Sequence, residues 1–454
     1  MAVTASDAAH TTIAPPTTGA HSLLSLMGSC WSLLLGMALL AMGNGLQGPL
    51  LGLRAVLEGF STPVTGVVMS CYFLGLVAGS LLTPPLLSRV GHVRVFAALA
   101  ALASAAVLWA AVLVDPINWA AVRLVIGFCY AGLYVVAESW LNDRSSNAVR
   151  GQLLAVYVVI MLIGMGVGPL FLNVADPAGF ILFMLVSVLV SVAVLPMLLT
   201  AGPAPRFDIA EKMSLPRLYR EAPLGVVGCA VTGLSNGAFI GMGVVYAQLE
   251  GFSVAQSSLF ITAAIWGGVC LQWPIGYLSD SYERRWVLAA VTCAAGLCAV
   301  GAVPVANVSV WAVIALAALF GGLSFPGYSL SLAHANDRLA PSQMVAASSA
   351  LVLVTALGAV LGPFMVGVLI SFVSPSMFFW FLAAFHLALA VFAVYRIGRR
   401  PGVEAHSRPV YLSRTSAIAT AAALESAREH ANEGSPASVV GGEALDPTQE
   451  GANA

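Results

Sequence analysis

Charge is the scarcest property of this 454-residue sequence. Asp, Glu, Lys and Arg make up 9% of it and hydrophobic residues 59%, whereas soluble domains carry roughly 25% charged residues. So few charged groups cannot clothe a water-facing surface, and the mean hydropathy of +0.92 agrees. A net charge of -1, with no basic, aromatic-studded stretch, argues against a nucleic-acid partner. The seven cysteines (30, 71, 129, 229, 270, 293 and 298) all fall inside apolar runs and never as C-x-x-C. They read as small core residues, not as disulfides or metal ligands. Metal-spaced clusters, a phosphate loop and a catalytic triad are also missing, so the sequence predicts no metal, no organic cofactor, no enzyme and no ATP-driven pump in this chain alone. The N-terminus has no cationic signal-peptide start, and the first span is expected to act as an uncleaved anchor.

What the sequence has is apolar runs of about 20 residues, the length that spans a hydrocarbon core. They fall near 26–53, 63–87, 93–114, 118–141, 151–173 and 178–199, then near 223–247, 254–278, 285–305, 308–333, 343–371 and 375–395. A polar stretch separates the two sets. The spacing predicts a disordered tail over 1–22, a six-helix bundle over 23–200, a cytoplasmic loop over 201–222, a second bundle over 223–398 and a flexible tail over 399–454. Ser413 to His430 is the one stretch of that tail read as able to form a short helix. Of the 19 Lys and Arg, all but Arg54 and Arg123 fall on one side of the spans, which predicts cytoplasmic termini by the positive-inside rule.

The second set repeats the first. Leu57-Glu58-Gly59-Phe60-Ser61 returns as Leu249-Glu250-Gly251-Phe252-Ser253, and the same offset carries Asn44-Gly45 onto Asn236-Gly237 and Gly75 onto Gly267. It also lays the loop Pro84 to Arg94 over Gly276 to Trp286. Gly164-xxx-Gly168-Pro169 matches Gly358-xxx-Gly362-Pro363 two residues further out. Six spans per repeat is an even number, so both halves enter the membrane in one direction. That is a repeat type of secondary transporters.

Across about residues 25–398 the chain resembles the major facilitator superfamily. Its loop motif G-x-x-x-D-x-x-G-R-R is matched by Gly276, Asp280, Arg284 and Arg285, with Glu283 in place of Gly. The first-half copy is degraded, with Pro84 for Gly and Ser88 for Asp, leaving Gly91 and Arg94. The fourth-helix R-x-x-x-G matches Arg123 and Gly127. The fifth-helix G-x-x-x-G-P matches Gly164, Gly168 and Pro169, followed by Leu172-Asn173 where Gly-Gly is usual. Val135 to Asn142 is similar to the YcaD-like branch. The resemblance implies an all-α fold of twelve transmembrane helices in two parallel six-helix repeats. It also implies alternating access, a proton gradient as energy source, and a monomer in a bacterial-type cytoplasmic membrane whose partners are a small solute, protons and lipid.

Candidate residues follow. Arg123, Gly127, Tyr130, Tyr134 and Glu138 are spaced 4, 3, 4 and 4 and share one helix face. Arg123 and Glu138 are the proton-coupling candidates. They lie about 22 Å apart at helical rise, too far to pair. Arg123 otherwise snorkels to the headgroups, and Glu138 otherwise pairs with Arg144. Asn44, Gln47, Tyr130, Tyr134, Asn236, Trp266 and Gln272 are expected to line the cavity, with Tyr72, Tyr157, Trp273 and Tyr328 as lesser candidates. The alternative for the amides is helix packing. The resemblance places the first and seventh helices, hence Asn44 and Asn236, across the cavity from each other. Gly276, Asp280, Arg284, Arg285, Arg89 and Arg94 are expected to gate the cytoplasmic side, or else to form solvated loops. Gly164, Gly168, Gly358 and Gly362 are expected to allow close helix approach, and Pro169 and Pro363 to bend their helices. His386 is taken as structural. The favoured function is proton-coupled export of a small, mostly apolar or weakly polar solute. Its rivals are an uptake symporter or facilitator and a non-transporting receptor or scaffold.

Overall fold

The five-letter repeat at Leu57 and Leu249 is a helix stop. Gly59 and Gly251 sit at φ 72° and 77°, the left-handed region that glycine enters without a Cβ clash. The amides of Phe60 and Phe252 then reach back to the carbonyls of Ala55 and Ala247, each at 2.9 Å. This capping pattern ends a helix and satisfies its last carbonyls. Ser253 starts the next helix, its hydroxyl accepting from the Gln256 amide at 3.2 Å while the Gln256 side chain accepts from the Ser253 amide at 2.9 Å. That reciprocal pair is a capping box.

The computed structural model describes residues 23–144, 147–198 and 213–399. The expected tails, the Ser413 to His430 helix and loop residues 201–212 lie outside them. The first half contains α1 (Leu23–Leu57), α2 (Thr62–Val90), α3 (His92–Val112), α4 (Pro116–Arg144), α5 (Asn147–Val167) with a 3-10 extension (Gly168–Asn173), and α6 (Ile181–Leu198). A short α7 (Leu215–Glu221) precedes the second half. There follow α8 (Pro223–Leu249), α9 (Val254–Ser281), α10 (Arg284–Ala306), α11 (Val310–Ser324), α12 (Gly327–Asn336), α13 (Pro341–Phe372) and α14 (Met377–Ile397). Twelve spans among the described residues are long and apolar enough to cross a bilayer, α11 and α12 together making the tenth. A helix satisfies every backbone group internally, which lipid demands.

The duplication is written into the packing. α2 packs on α4 as α9 packs on α11, α1 on α5 as α8 on α13, and α3 on α6 as α10 on α14. The small residues that allow this recur in register. A Cβ on Gly127 would lie 2.0 Å from the Tyr72 carbonyl oxygen, and one on Gly321 2.2 Å from that of Ala264. Glycine at these positions lets the helices meet backbone to backbone. Gly164 and Gly168 press on α1 at Ala41 and Met42, and Gly358 and Gly362 on α8 at Ala230 and Leu234.

The halves meet through α2 with α13, α1 with α8, and α5 and its extension with α9. Thr62 Oγ1 donates to the Gly367 carbonyl at 2.8 Å, and Asn173 Nδ2 to Ser258 Oγ at 2.9 Å. Both bonds lie at the membrane face where α1 ends and α2 begins, and they hold the two halves together there.

Five expectations change. α2 and α9 run on to Val90 and Ser281, so most of the expected loop from Pro84 is helix and the link to α3 is a single Gly91 at φ 93°. The expected central loop contains α7, whose Leu218 is fully buried beside Cys229, Tyr328 and Leu332. Its hydrophobic contact outweighs the polar composition of its neighbours. The two prolines act differently: α5 changes to 3-10 winding at Gly168-Pro169, while α13 continues past Pro363. The tenth span breaks at Phe325-Pro326, where proline supplies no amide hydrogen to continue α11. Of the cysteines, Cys270 is exposed on the outside of α9 and is not a core residue.

Candidate functional site

Three helices of the first half bring polar side chains together mid-span. Asn44 on α1 sits between two tyrosines. It accepts from Tyr72 Oη of α2 at 3.0 Å and donates through Nδ2 to Tyr134 Oη of α4 at 3.0 Å. The Arg123 guanidinium lies over the Tyr72 ring, 4.3 Å from its centroid. This is a cation–π contact, worth more when desolvated. Tyr130 packs beside Tyr134 with ring centroids 6.0 Å apart. Arg123 is 3% exposed and Tyr130 fully buried. Arg123 therefore turns into the bundle instead of snorkelling to the headgroups. Gln47, one turn beyond Asn44, is 1% exposed, and neither end of its amide has a partner.

Glu138 lies at the other end of the same α4 face and is fully buried. Tyr157 of α5 and Tyr328 of α12, a residue of the opposite half, lie within electrostatic range of it. The neighbouring Ser139 hydroxyl meets His92 Nε2 at 3.0 Å. The Arg144 side chain, Glu138's alternative partner, lies outside the described residues.

The second half treats its asparagine differently. Asn236 Oδ1 accepts from Ser324 Oγ at 3.3 Å, and Ser324 Oγ lies 3.0 Å from His386 Nε2. His386 Nδ1 donates to the Leu382 carbonyl at 2.9 Å, and the ring is 2% exposed. Asn44 and Asn236 thus occupy equivalent repeat positions with different partners.

The ion pairs of Arg284 stay within one half. Arg284 donates to Asp280 at 3.1 Å and to Asp337 at 3.1 Å, while Arg285 pairs with Glu283. Asp337 is as buried as Arg284, at 4% each, and Asp280 is 51% exposed. Gly276 lies one turn before Asp280 on α9. Arg89 and Arg94 are exposed and enter no ion pair among the described residues. The Arg284 bonds therefore tie α9, α10 and the end of α12 together and do not clamp half to half.

The remaining candidates divide. The Trp266 ring nitrogen lies 3.0 Å from where a Cβ on Gly166 would be, so it sits at the α5–α9 seam. Gln272 Nε2 donates to Ser329 Oγ at 3.2 Å. Trp273 is 78% exposed and stacks on exposed Tyr277, so it faces outward and does not line a cavity. Among the described residues, no group of three or more His, Cys, Asp or Glu is set to hold a metal.

The family model described as the Major Facilitator Superfamily matches residues 33–253 and again 225–429. The chain belongs to the major facilitator superfamily. It is a multi-pass membrane transporter and not an enzyme. It is 29% identical over 380 residues to the "Uncharacterized MFS-type transporter YcaD" of Escherichia coli O7:K1 (strain IAI39 / ExPEC), covering 82% of this chain and 97% of that one. The YcaD of Escherichia coli (strain K12 / DH10B) matches to the same extent. Among solved structures, the nucleoside transporter NupG superposes with a TM-score of 0.66 at 13% identity, over 81% of this chain and 99% of NupG. A bacterial homologue of the human lysosomal transporter Spinster, inward-facing and occupied, reaches 0.64 at 15% identity, over 84% and 99%.

In this superfamily member the sequence pattern singled out Arg123, Asn44 and Glu138 as candidates, because an ionisable or amide group inside an apolar run stands out. It ranked Tyr72 low and missed Asp337 and Ser324. Tyrosine and serine are common in membrane helices, and Asp337 looks like an ordinary loop acid. The pairing of His386 with Ser324 gave no signal at all, since it joins residues from distant spans.

Proposed function

We propose that this transporter couples proton movement to export of a small, mostly apolar or weakly polar organic solute, with both termini in the cytoplasm of a bacterial-type cell. The observation that carries the reading is Glu138: a fully buried carboxyl group on α4, within electrostatic range of Tyr157 on its own half and Tyr328 on the other. Burial at this depth costs a charged carboxylate more than the neutral acid. Opening this side separates Glu138 from Tyr328 and lets water reach it, so proton loss and gain follow the open and closed states. The two hydrogen bonds on the opposite face, Thr62 to Gly367 and Asn173 to Ser258, must break for that side to open. Alternating rupture at the two faces is what rocking of the halves requires.

The solute chamber is assigned to Asn44, Tyr72, Tyr130, Tyr134 and Gln47 on one side and Asn236 on the other. Uptake by symport is the second reading. It is favoured by Asn173, which occupies the end of the antiporter-like fifth-helix motif and serves as an inter-half hydrogen bond. The solved fucose:proton symporter FucP of E. coli shares the fold, with a TM-score of 0.53 at 16% identity, over 82% of this chain and 99% of FucP.

An untargeted comparison of solutes inside and outside cells, with and without the protein, supplies the substrate. Proteoliposomes then test coupling. An imposed pH gradient is expected to drive flux of that solute, and Glu138→Gln to abolish the drive while leaving exchange down a solute gradient. Gradient-driven flux that survives Glu138→Gln would refute the coupling.

A further inference from the structure

The first-half cluster contains more unpaired hydrogen-bonding capacity than a packing device needs. Arg123 carries a permanent cation. Among the described residues its guanidinium makes no hydrogen bond or ion pair, and its electrostatic partners are Tyr72, Cys71 and Tyr130, none of them a carboxylate. Its Nε is buried without a partner, as are the Tyr130 hydroxyl and both ends of the Gln47 amide. Native proteins pair nearly all such groups. These four atoms, on side chains of two facing helices, are hydrogen-bonding groups that a polar ligand would satisfy.

Helix spacing places the three groups on facing stretches of α1 and α4. Tyr130 lies two turns from Arg123 along one face of α4, and its hydroxyl would touch a Cβ on Gly43 at 3.4 Å. Gln47 follows Gly43 by four residues and Asn44 by three, so it continues the face of α1 that meets Tyr130 and Tyr134. Tyr72 and Asn44 are already held by hydrogen bonds, Tyr72 to Asn44 and Asn44 to Tyr134, so the groups left with no partner are the three above.

The charge count selects the ligand. A single uncompensated cation is neutralised by a monoanion, whereas a phosphate dianion would leave a negative charge buried. The guanidinium edge presents parallel donors that match a carboxylate. The Gln47 amide nitrogen and the Tyr130 hydroxyl are donors for its remaining lone pairs. We propose that Arg123, Gln47 and Tyr130 form the recognition site for the carboxylate of an organic monoanion whose remainder is apolar. This rests on the transport reading above and narrows its substrate class.

The test uses the purified full-length protein in lipid nanodiscs and measures apparent melting temperature against concentration. The probes are benzoate, phenylacetate and octanoate, each beside its neutral amide. At least one carboxylate is expected to stabilise the protein saturably, as a ligand that binds only the folded state does, while its amide does not. Arg123→Gln is expected to weaken the apparent affinity by about 100-fold, and Arg123→Lys by less, since it keeps the charge but loses the fork. Should the Arg123 variants not fold, Gln47→Leu and Tyr130→Phe each carry the test, with a loss of about tenfold expected. The proposal is overturned if no carboxylate stabilises more than its amide, or if Gln47→Leu and Tyr130→Phe bind as the wild type does. The assay needs no gradient, so carboxylate binding without proton-driven flux would sink only the coupling. Proton-driven flux of a neutral solute without carboxylate binding would sink only this site.

Discussion

Gly127→Ala puts the packing argument and the site argument to one test. The new methyl carbon would sit 2.0 Å from the Tyr72 carbonyl oxygen, 2.9 Å from its carbonyl carbon and 3.0 Å from the Leu76 nitrogen. All three are backbone atoms of α2, so no side chain can rotate away. Carbon–oxygen contacts relax at about 3.3 Å, so α2 and α4 must part by roughly 1 Å. A gap of 0.5–1 Å forfeits about a quarter to a half of each dispersion contact across it. Together with the clash, this places the cost at about 3 kcal/mol, the upper end of overpacking penalties. The same displacement lifts Tyr72 from Arg123, one turn from Gly127 on α4, and loosens the Asn44 bridge. Gly48→Ala is the control, because nothing lies within 4 Å of a Cβ there. Helix propensity alone predicts that it stabilises by up to about 1 kcal/mol. The expected result in nanodiscs is a clearly lower melting temperature and lost transport for Gly127→Ala, with Gly48→Ala at or above wild type. If the two variants melt alike, the backbone contact is not real and the placement of Arg123 over Tyr72 falls with it.

Three further outcomes are expected. Asp337→Ala should destabilise by about 3 kcal/mol, because it strands the buried Arg284 guanidinium with an exposed partner, whereas Asp280→Ala should cost about 1 kcal/mol or less. Thermal unfolding of the two variants side by side checks this. Asn44→Leu removes the acceptor of Tyr72 and the donor to Tyr134 and should impair transport more than stability, read as flux per folded molecule in proteoliposomes. Thr62→Val deletes a hydrogen bond worth about 1 kcal/mol between the halves. It should shift the population toward opening at that face, seen as faster labelling of a cysteine introduced nearby on a background lacking the natural cysteines.

The element order, twelve spans and parallel halves were legible in the residues because hydropathy and repeat spacing are local, and a helix in lipid needs no distant partner for its backbone. The stops at Gly59 and Gly251 were legible for the same reason, since a positive φ and a capping bond involve only neighbours along the chain. Arg123 and Glu138 stood out because ionisable groups are rare inside apolar runs. Which side chains meet was decided elsewhere. Asn44 between Tyr72 and Tyr134, Arg284 on Asp337, and His386 on Ser324 are contacts between helices far apart in sequence. Rotation of a helix about its axis by a few tens of degrees would replace each of them without changing its apolar character. That rotation is set by where glycines let backbones close, as at Gly127 against Tyr72, and only the assembled bundle fixes it.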